Sequence, residues 1–440
     1  MIGRSTATVR HPGSGPHDST VARELLAERN PRAMTPTAQR LAEWAAELQP
    51  TDDDLSLAHR ALVDTTAVIL AAREDPLVAI TAGEVRASRW SALAHILDFD
   101  DLHMESTTHI SAVCLPTTLA AGGGAREYLA GAGVMARIGS LLGWQHYATG
   151  WHATTTAGAP GAAVAAAMSF GLDAAGIATA IALAVPAAGG VQRSFGTVAK
   201  PLQVGFAAEA GIRAARLAAH GAEAELAAVD QWLELMGADP SAIELGGPAV
   251  PGGLALKLFP CCYAMQRPIA LVRELGLDGI DPADVEQIAV RTPAATLQPL
   301  IHPSPTTGLQ AKFSLEYAIA VAMLDRTPGF DSFADSAVQR TPARDLMSKV
   351  ALETSPGGDW LLDGEIEMTV TRHTAPPVVG ALKLPPGSPG RPPSPDDLRA
   401  KVQICCLDLA TEVIDVDWPD AAALLDEHVG GSDVDQGSPR

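Results

Sequence analysis

Residues 174–191, AAGIATAIALAVPAAGGV, carry no charge and are nearly long enough to cross a membrane. How they are read decides the fold. The run is made of Ala and Gly with a few aliphatics, is interrupted by Pro186, and lacks the Trp or Tyr anchors of membrane interfaces. Asp173 offers an N-cap, and Gly189-Gly190 offers an end or a kink. The expected structure is a buried core helix, whose small side chains let neighbouring helices come close.

Helical signals spread outward from it. Ala38, Leu41, Trp44, Ala45 and Leu48 recur at i, i+3, i+4 spacing, and Pro50 ends that helix. Thr51 caps the next one, which is expected to turn Leu55, Ala58, Ala61, Leu62, Thr65 and Ile69 inward. Residues 203–237 read as two helices split by His220-Gly221, and 240–256 as a Gly/Pro-rich loop. After Cys262 the texture changes. Residues 285–290 and 365–371 alternate like strands, with a helix between them carrying Leu315, Ala318, Ile319 and Ala322. The proline-rich stretch 375–396 reads as loop and 396–415 as helix. The fold class is mainly α. A large all-helical domain spans 35–264 and a smaller α+β domain 265–399; residues 400–440 return to the helical domain and end in a tail. Residues 1–34 lack periodicity and are expected to be a flexible tail, with the folded chain starting near Met34.

Composition narrows the function. Aromatic residues make up only 4% of 440, so the core must be Ala, Leu, Val and Ile, which favours packed helices over a β-sandwich. The net charge of −20 repels phosphate backbones and argues against a nucleic-acid partner. Cys114, Cys261, Cys262, Cys405 and Cys406 form neither a disulfide framework nor a CxxC pair, so no zinc site is supported. An iron–sulfur cluster lacks its usual spacing. Buried reduced thiols in a reducing cytoplasm are expected. No apolar segment of secretory type opens the chain. No GxGxxG follows a strand, and no GK[ST] follows Gly122-Gly123-Gly124, so a nucleotide fold is not expected.

Five polar insertions interrupt this apolar background. They are His95-Ile96-Leu97-Asp98-Phe99-Asp100-Asp101 with a later His109, Gly150-Trp151-His152, Lys200-Pro201-Leu202, Lys257-Leu258-Phe259-Pro260-Cys261-Cys262, and Ala311-Lys312-Phe313-Ser314-Leu315-Glu316-Tyr317. Charged groups in apolar surroundings are costly unless paired or used. Five of them point to one active site built from distant segments.

In this order the five motifs resemble the MmgE/PrpD family over residues 36 to about 410. The resemblance implies a helical domain holding most of the site, an α+β lid, a homodimer, no metal or cofactor, and small di- or tricarboxylate substrates. It implies catalytic roles for Asp98, His109, His152, Lys200 and Tyr317, and a substrate contact for Lys257. Five positions depart from the family pattern. Leu102 stands for its Thr, Ile110 for its Pro, Gln203 for the His of KPLH, and Met265-Gln266 for a Thr-His pair before Arg267. Leu102, His103, Gln203, Gln266 and Arg267 are candidates for substrate contact.

The chemistry common to such enzymes is making or quenching a carbanion beside a carboxylate. His152 and His109 suit proton transfer because imidazole titrates near neutrality. Lys200 serves as acid, base or carboxylate partner, Asp98 orients a neighbour, and Tyr317 donates a proton or hydrogen bond. The plainer alternatives are satisfied core histidines, a helix-capping Asp98, a snorkelling Lys257 and a core-packing Tyr317. His95, His103 and His146 are read as structural, with His103 and Glu105 in a loop expected to face the pocket, where they could tune specificity. The expected function is a cofactor-independent lyase that dehydrates or decarboxylates a di- or tricarboxylate. The alternatives are an isomerase or epimerase, and a binding protein without catalysis.

Overall fold

The computed structural model describes residues 35–356 and 360–430. The expected N-terminal tail, 1–34, and residues 431–440 lie outside that range. Helix α1 (Thr37–Glu47) buries Ala38, Leu41 and Ala45 of the anticipated stripe and Ala42 beside them, with Leu48 buried just past its end and Trp44 half-buried. Thr51 then closes a capping box: its hydroxyl accepts from Asp54 N at 3.2 Å, and Asp54 accepts from Thr51 N at 3.0 Å. Helix α2 (Asp52–Ala71) follows with Ala58, Ala61, Leu62, Thr65 and Ile69 inward. Leu55 is the exception. It sits in the first turn, before the helix meets the core, and is 44% exposed.

The helices α3 (Arg86–Ile96), α4 (Ile110–Ala120), α5 (Ala125–Ala148), α6 (Ala153–Ser169), α7 (Ala174–Ala184), α8 (Ala199–Ala219) and α9 (Ala228–Leu235) complete the helical part. α6 is the hub. Residues 153–168 of it are all buried against α5, α7, α8 and α4. Its neighbours approach closely because Gly and Ala line the contacts. A Cβ on Gly131 would lie 2.7 Å from Ala165 Cβ, and one on Gly211 would lie 2.4 Å from Ala162 Cβ. Asp173 caps α7 through Gly176 N, as expected. α7 ends at Ala184 and passes into a 3₁₀ turn, Val185–Ala187. Among the described residues, no helix is long and apolar enough to cross a membrane.

The α+β part holds a four-stranded sheet of β1 (Val285–Pro293), β2 (Val350–Ser355), β3 (Ile366–Arg372) and β4 (Val378–Leu382), in the order β2-β1-β3-β4. β1 pairs with β2 in parallel; β1–β3 and β3–β4 are antiparallel. Ile288, Val290, Met368 and Val370 point to a core shared with helices α10 (Gln266–Glu274) and α11 (Leu315–Leu324). β1 and β3 match the alternating stretches. β2 and β4 were not legible in the pattern. β2 is an edge strand with four consecutive exposed residues, 351–354, so it has no alternation to read. β4 falls inside the stretch expected as loop, next to its prolines, and Gly380 lets Leu275 of the helix layer approach it closely.

The chain then returns to the helical part. Helix α12 (Pro395–Cys406) packs on α2, where Lys401 Nζ lies 2.6 Å from Asp64 Oδ1, with both side chains buried. The five cysteines are all buried and unpaired.

Two consequences can be measured. Gly131→Ala should cost about 1–3 kcal/mol in urea unfolding through overpacking of α5 on α6; an unchanged midpoint would mean that the two helices can separate freely. Lys401→Met should cost about 3–5 kcal/mol by stranding the Asp64 carboxylate, and adding Asp64→Leu should recover much of it. Equal stability of the Lys401→Met single variant and the parent would refute the ion pair as a packing element.

Candidate active site

The site is organised around the loop that follows α3. Ile96 and Leu97 end the helix, and Asp98 takes a left-handed backbone conformation with φ of 52°. Three buried lysines from three distant segments then bind three successive carbonyls. Lys312 Nζ donates to Leu97 O at 2.6 Å, Lys257 Nζ to Asp98 O at 2.9 Å, and Lys401 Nζ to Phe99 O at 2.6 Å. Cations are favoured at a helix C-terminus, where carbonyls lack intrahelical partners. A fourth lysine, Lys200 in the first turn of α8, forms an ion pair with the Asp98 carboxylate itself.

Asp100 points the other way and joins two histidines. Its Oδ2 lies 2.6 Å from His95 Nδ1 and 3.1 Å from His109 Nδ1, while Lys257 Nζ stands 3.5 Å from Oδ1. The His95 ring packs edge-on against His109, with centroids 4.6 Å apart, and stacks on His152 at 5.7 Å. Asp101 turns away from the cavity to accept from Ser111, whose hydroxyl also meets Tyr128 OH at 2.7 Å.

The electrostatics follow from burial. Burial works to raise the Asp98 carboxyl, but Lys200, Lys257 and Lys312 outweigh it and hold it below the usual range. Asp100 is likewise held well below by His109, His95 and Lys257 against the effect of burial. Asp101, without a cation of its own, is pushed by burial up to about 7. Burial drives His109 down to about 3 and His152 well below its ordinary value. Both imidazoles are therefore neutral at pH 7. Lys312 falls to about 8, chiefly through burial.

One narrow cavity is lined by Asp98, His109, His152 and Lys200. Leu102, Tyr147, Phe195, Tyr263, Phe313 and Leu361 supply its apolar wall. The Lys200 ammonium lies 5.3 Å from the Phe195 ring centre and 5.0 Å from that of Phe313. Four of the five expected catalytic residues thus meet in one place.

Tyr317 does not join them. Its hydroxyl donates to Ser332 O at 2.5 Å, its ring packs on Phe333, and burial pushes it up to about 12. Lys257 is fully buried rather than snorkelling, and braces the loop from beneath. Gln266 is also a brace, accepting from Leu258 N and Phe259 N at 3.1 Å each. Arg267 donates to Leu362 O, Gly364 O and Lys383 O at 3.2–3.3 Å and to Thr296 Oγ1 at 2.7 Å. His103 has both ring nitrogens engaged, by Ser106 Oγ at 2.7 Å and Pro251 O at 2.5 Å. Leu102 does line the cavity, whereas Gln203 lies behind His152. His146 stacks on Trp151 and is hydrogen-bonded to Thr156.

Sequence reasoning missed the roles of His95, Asp100, Lys312 and Lys401 around this loop. Lys312 was visible as a charge inside one of the five motifs; Lys401 had only its apolar neighbours Ala400 and Val402 as a signal. His95, Asp100 and His109 also place potential ligand atoms within 4.8 Å of one another. Lys257 beside Asp100 opposes a divalent cation there, and the Nδ1 atoms of both histidines already face that carboxylate. Asp100 Oδ2 thus ties the two rings together, while Asp100 Oδ1 and His95 Nε2 are buried without a hydrogen-bond partner among the described residues.

Family models for the MmgE/PrpD N-terminal and C-terminal domains match residues 87–233 and 259–416. Similar proteins include a cis-aconitate decarboxylase of Aspergillus terreus, 25% identical over 304 residues, covering 59% of this chain and 61% of that protein. The Homo sapiens cis-aconitate decarboxylase is 29% identical over 285 residues, 58% of either chain. The chain spans about three-fifths of the length of these curated relatives. With both domain models matched in order over well over half its length, the chain belongs to the MmgE/PrpD family.

Proposed function

We propose that this protein is a lyase that acts on a small carboxylate by moving a proton at the carbon beside the carboxylate, without a cofactor. The observation that carries this reading is the convergence of Asp98, His109, His152 and Lys200 on one largely apolar cavity. Two imidazoles kept neutral by burial each carry an unprotonated ring nitrogen at pH 7, the form a general base needs. Lys200, paired with Asp98, is the cation available to a substrate carboxylate and to the charge that develops on it. The apolar wall excludes water and strengthens these interactions. The segment 265–399 is proposed as the lid, since Phe313 and Leu361 close one side of the cavity. Similarity to cis-aconitate decarboxylases favours a carboxylate substrate.

A second reading, proton transfer without loss of a group, is supported by the presence of two imidazoles on one cavity. Such an isomerase or epimerase uses one base on each face of the substrate carbon.

Proton NMR in deuterated buffer with cis-aconitate, 2-methylcitrate and related carboxylates separates them. Loss of water or carbon dioxide is expected; deuterium uptake without net conversion would favour the isomerase, and unchanged spectra throughout would overturn both. His152→Ala and Lys200→Ala should each lower turnover by at least ~10²-fold with the helical circular dichroism retained. Parent-like turnover in either would remove that residue from the mechanism.

A further inference from the structure

Gln203, expected as a substrate contact, is placed where it acts on a proton carrier. Its Oε1 lies 3.1 Å from His152 Nδ1 and accepts from Val191 N at 3.0 Å, while its Nε2 donates to Ser194 Oγ at 2.8 Å. A backbone N–H only donates, so the amide atom facing Val191 is the oxygen. The same oxygen faces His152 Nδ1, so that nitrogen carries the proton. A neutral imidazole protonated at Nδ1 has its lone pair at Nε2. His152 Nε2 is buried without a hydrogen-bond partner among the described residues, on a ring that lines the cavity. Gly190 makes the arrangement possible. It accepts from His152 N at 3.0 Å, and a side chain there would put its Cβ 2.6 Å from Gln203 Oε1.

His109 is held in the same sense by different atoms. Its Nδ1 lies 2.6 Å from Asp101 O and 3.1 Å from Asp100 Oδ2, both acceptors. Its lone pair is therefore also at Nε2.

Resting on the reading of His152 as a proton carrier, we propose that Gln203 is a positioning residue that fixes the Nδ1–H tautomer of His152. Together with His109, the resting site then offers two imidazole lone pairs and no imidazole acid, so its reaction opens by removing a proton from substrate. In that step a substrate C–H bond breaks and an N–H bond forms at Nε2. The electron pair stays on the carbon beside the carboxylate, from which it expels a leaving group or takes a proton back. The amide oxygen supports the resulting imidazolium through Nδ1–H but adds no negative charge. The titratable groups facing His152 are His95, Lys200 and His109; together with burial, they all disfavour the imidazolium, so the proton is readily returned.

Two variants test this by nitrogen-15 NMR of the histidine rings, with His152→Asn to assign the signal. The parent should show neutral His152 protonated at Nδ1. Gln203→Glu keeps an acceptor for Val191 N and adds a charge. It should keep the tautomer and raise the His152 titration by about one to three pH units, moving the acidic limb of the rate profile on cis-aconitate with it. Gln203→Leu should release the tautomer and lower kcat on the order of 10²- to 10⁴-fold, with KM changed far less. A parent His152 protonated at Nε2, or variants with an unchanged tautomer and titration, would overturn the proposal. The expected tautomers with no turnover of any carboxylate would uphold the role of Gln203 and sink the lyase reading instead.

Discussion

The structure depends on holding one loop, Leu97–Asp101, in a conformation it would not keep alone. Three successive carbonyls of the loop face the buried ammonium groups of Lys312, Lys257 and Lys401. A left-handed residue costs roughly 1–2 kcal/mol, less for Asp, whose short side chain tolerates it. Each lysine satisfies a carbonyl at or just beyond the α3 terminus, and Lys200 meets the Asp98 carboxylate. The lysines come from the β-containing part, from the turn before it and from the returning helix α12. The loop is thus fixed only once the whole chain has come together.

Burying so many charges is tolerable because they are paired in sequence. Asp98 sits among Lys200, Lys257 and Lys312; Asp100 between His95, His109 and Lys257; Asp64 against Lys401. Charges left over would be stranded in a low-dielectric interior. Asp101, away from these cations, responds by taking up a proton near neutrality. The same burial keeps His109 and His152 neutral. That neutrality is therefore a consequence of packing, as is the lowered titration of His146, pushed by burial to about 4.

The small-residue core serves the same end. α6 carries His152 at its N-cap and Thr154, which also lines the cavity, in its first turn, and Gly131, Gly161 and Gly211 let α5 and α8 press close to it. α8 brings Lys200 and Gln203 within its first two turns. α5 is kinked at Gly143, beyond which Tyr147 reaches the cavity. A larger side chain at these contacts would shift the helix ends that carry the polar groups.

Much of this was legible in the chain itself. The apolar periodicity, the Thr51 and Asp173 caps, the strands at β1 and β3, and four of the five expected catalytic residues all rest on local pattern or motif. β2 and β4 were not legible, because an exposed edge strand and a proline-flanked strand have no period to read. Gln203, Arg267 and Tyr317 stand in or beside site motifs in sequence, yet their partners His152, Leu362 and Ser332 come from later or earlier segments of the chain. The sequence by itself determined which residues carry charge into an apolar interior. Only the tertiary structure decided which of those charges face the cavity and which brace it. Direction and burial depend on contacts between segments far apart in the chain, and no local pattern records them.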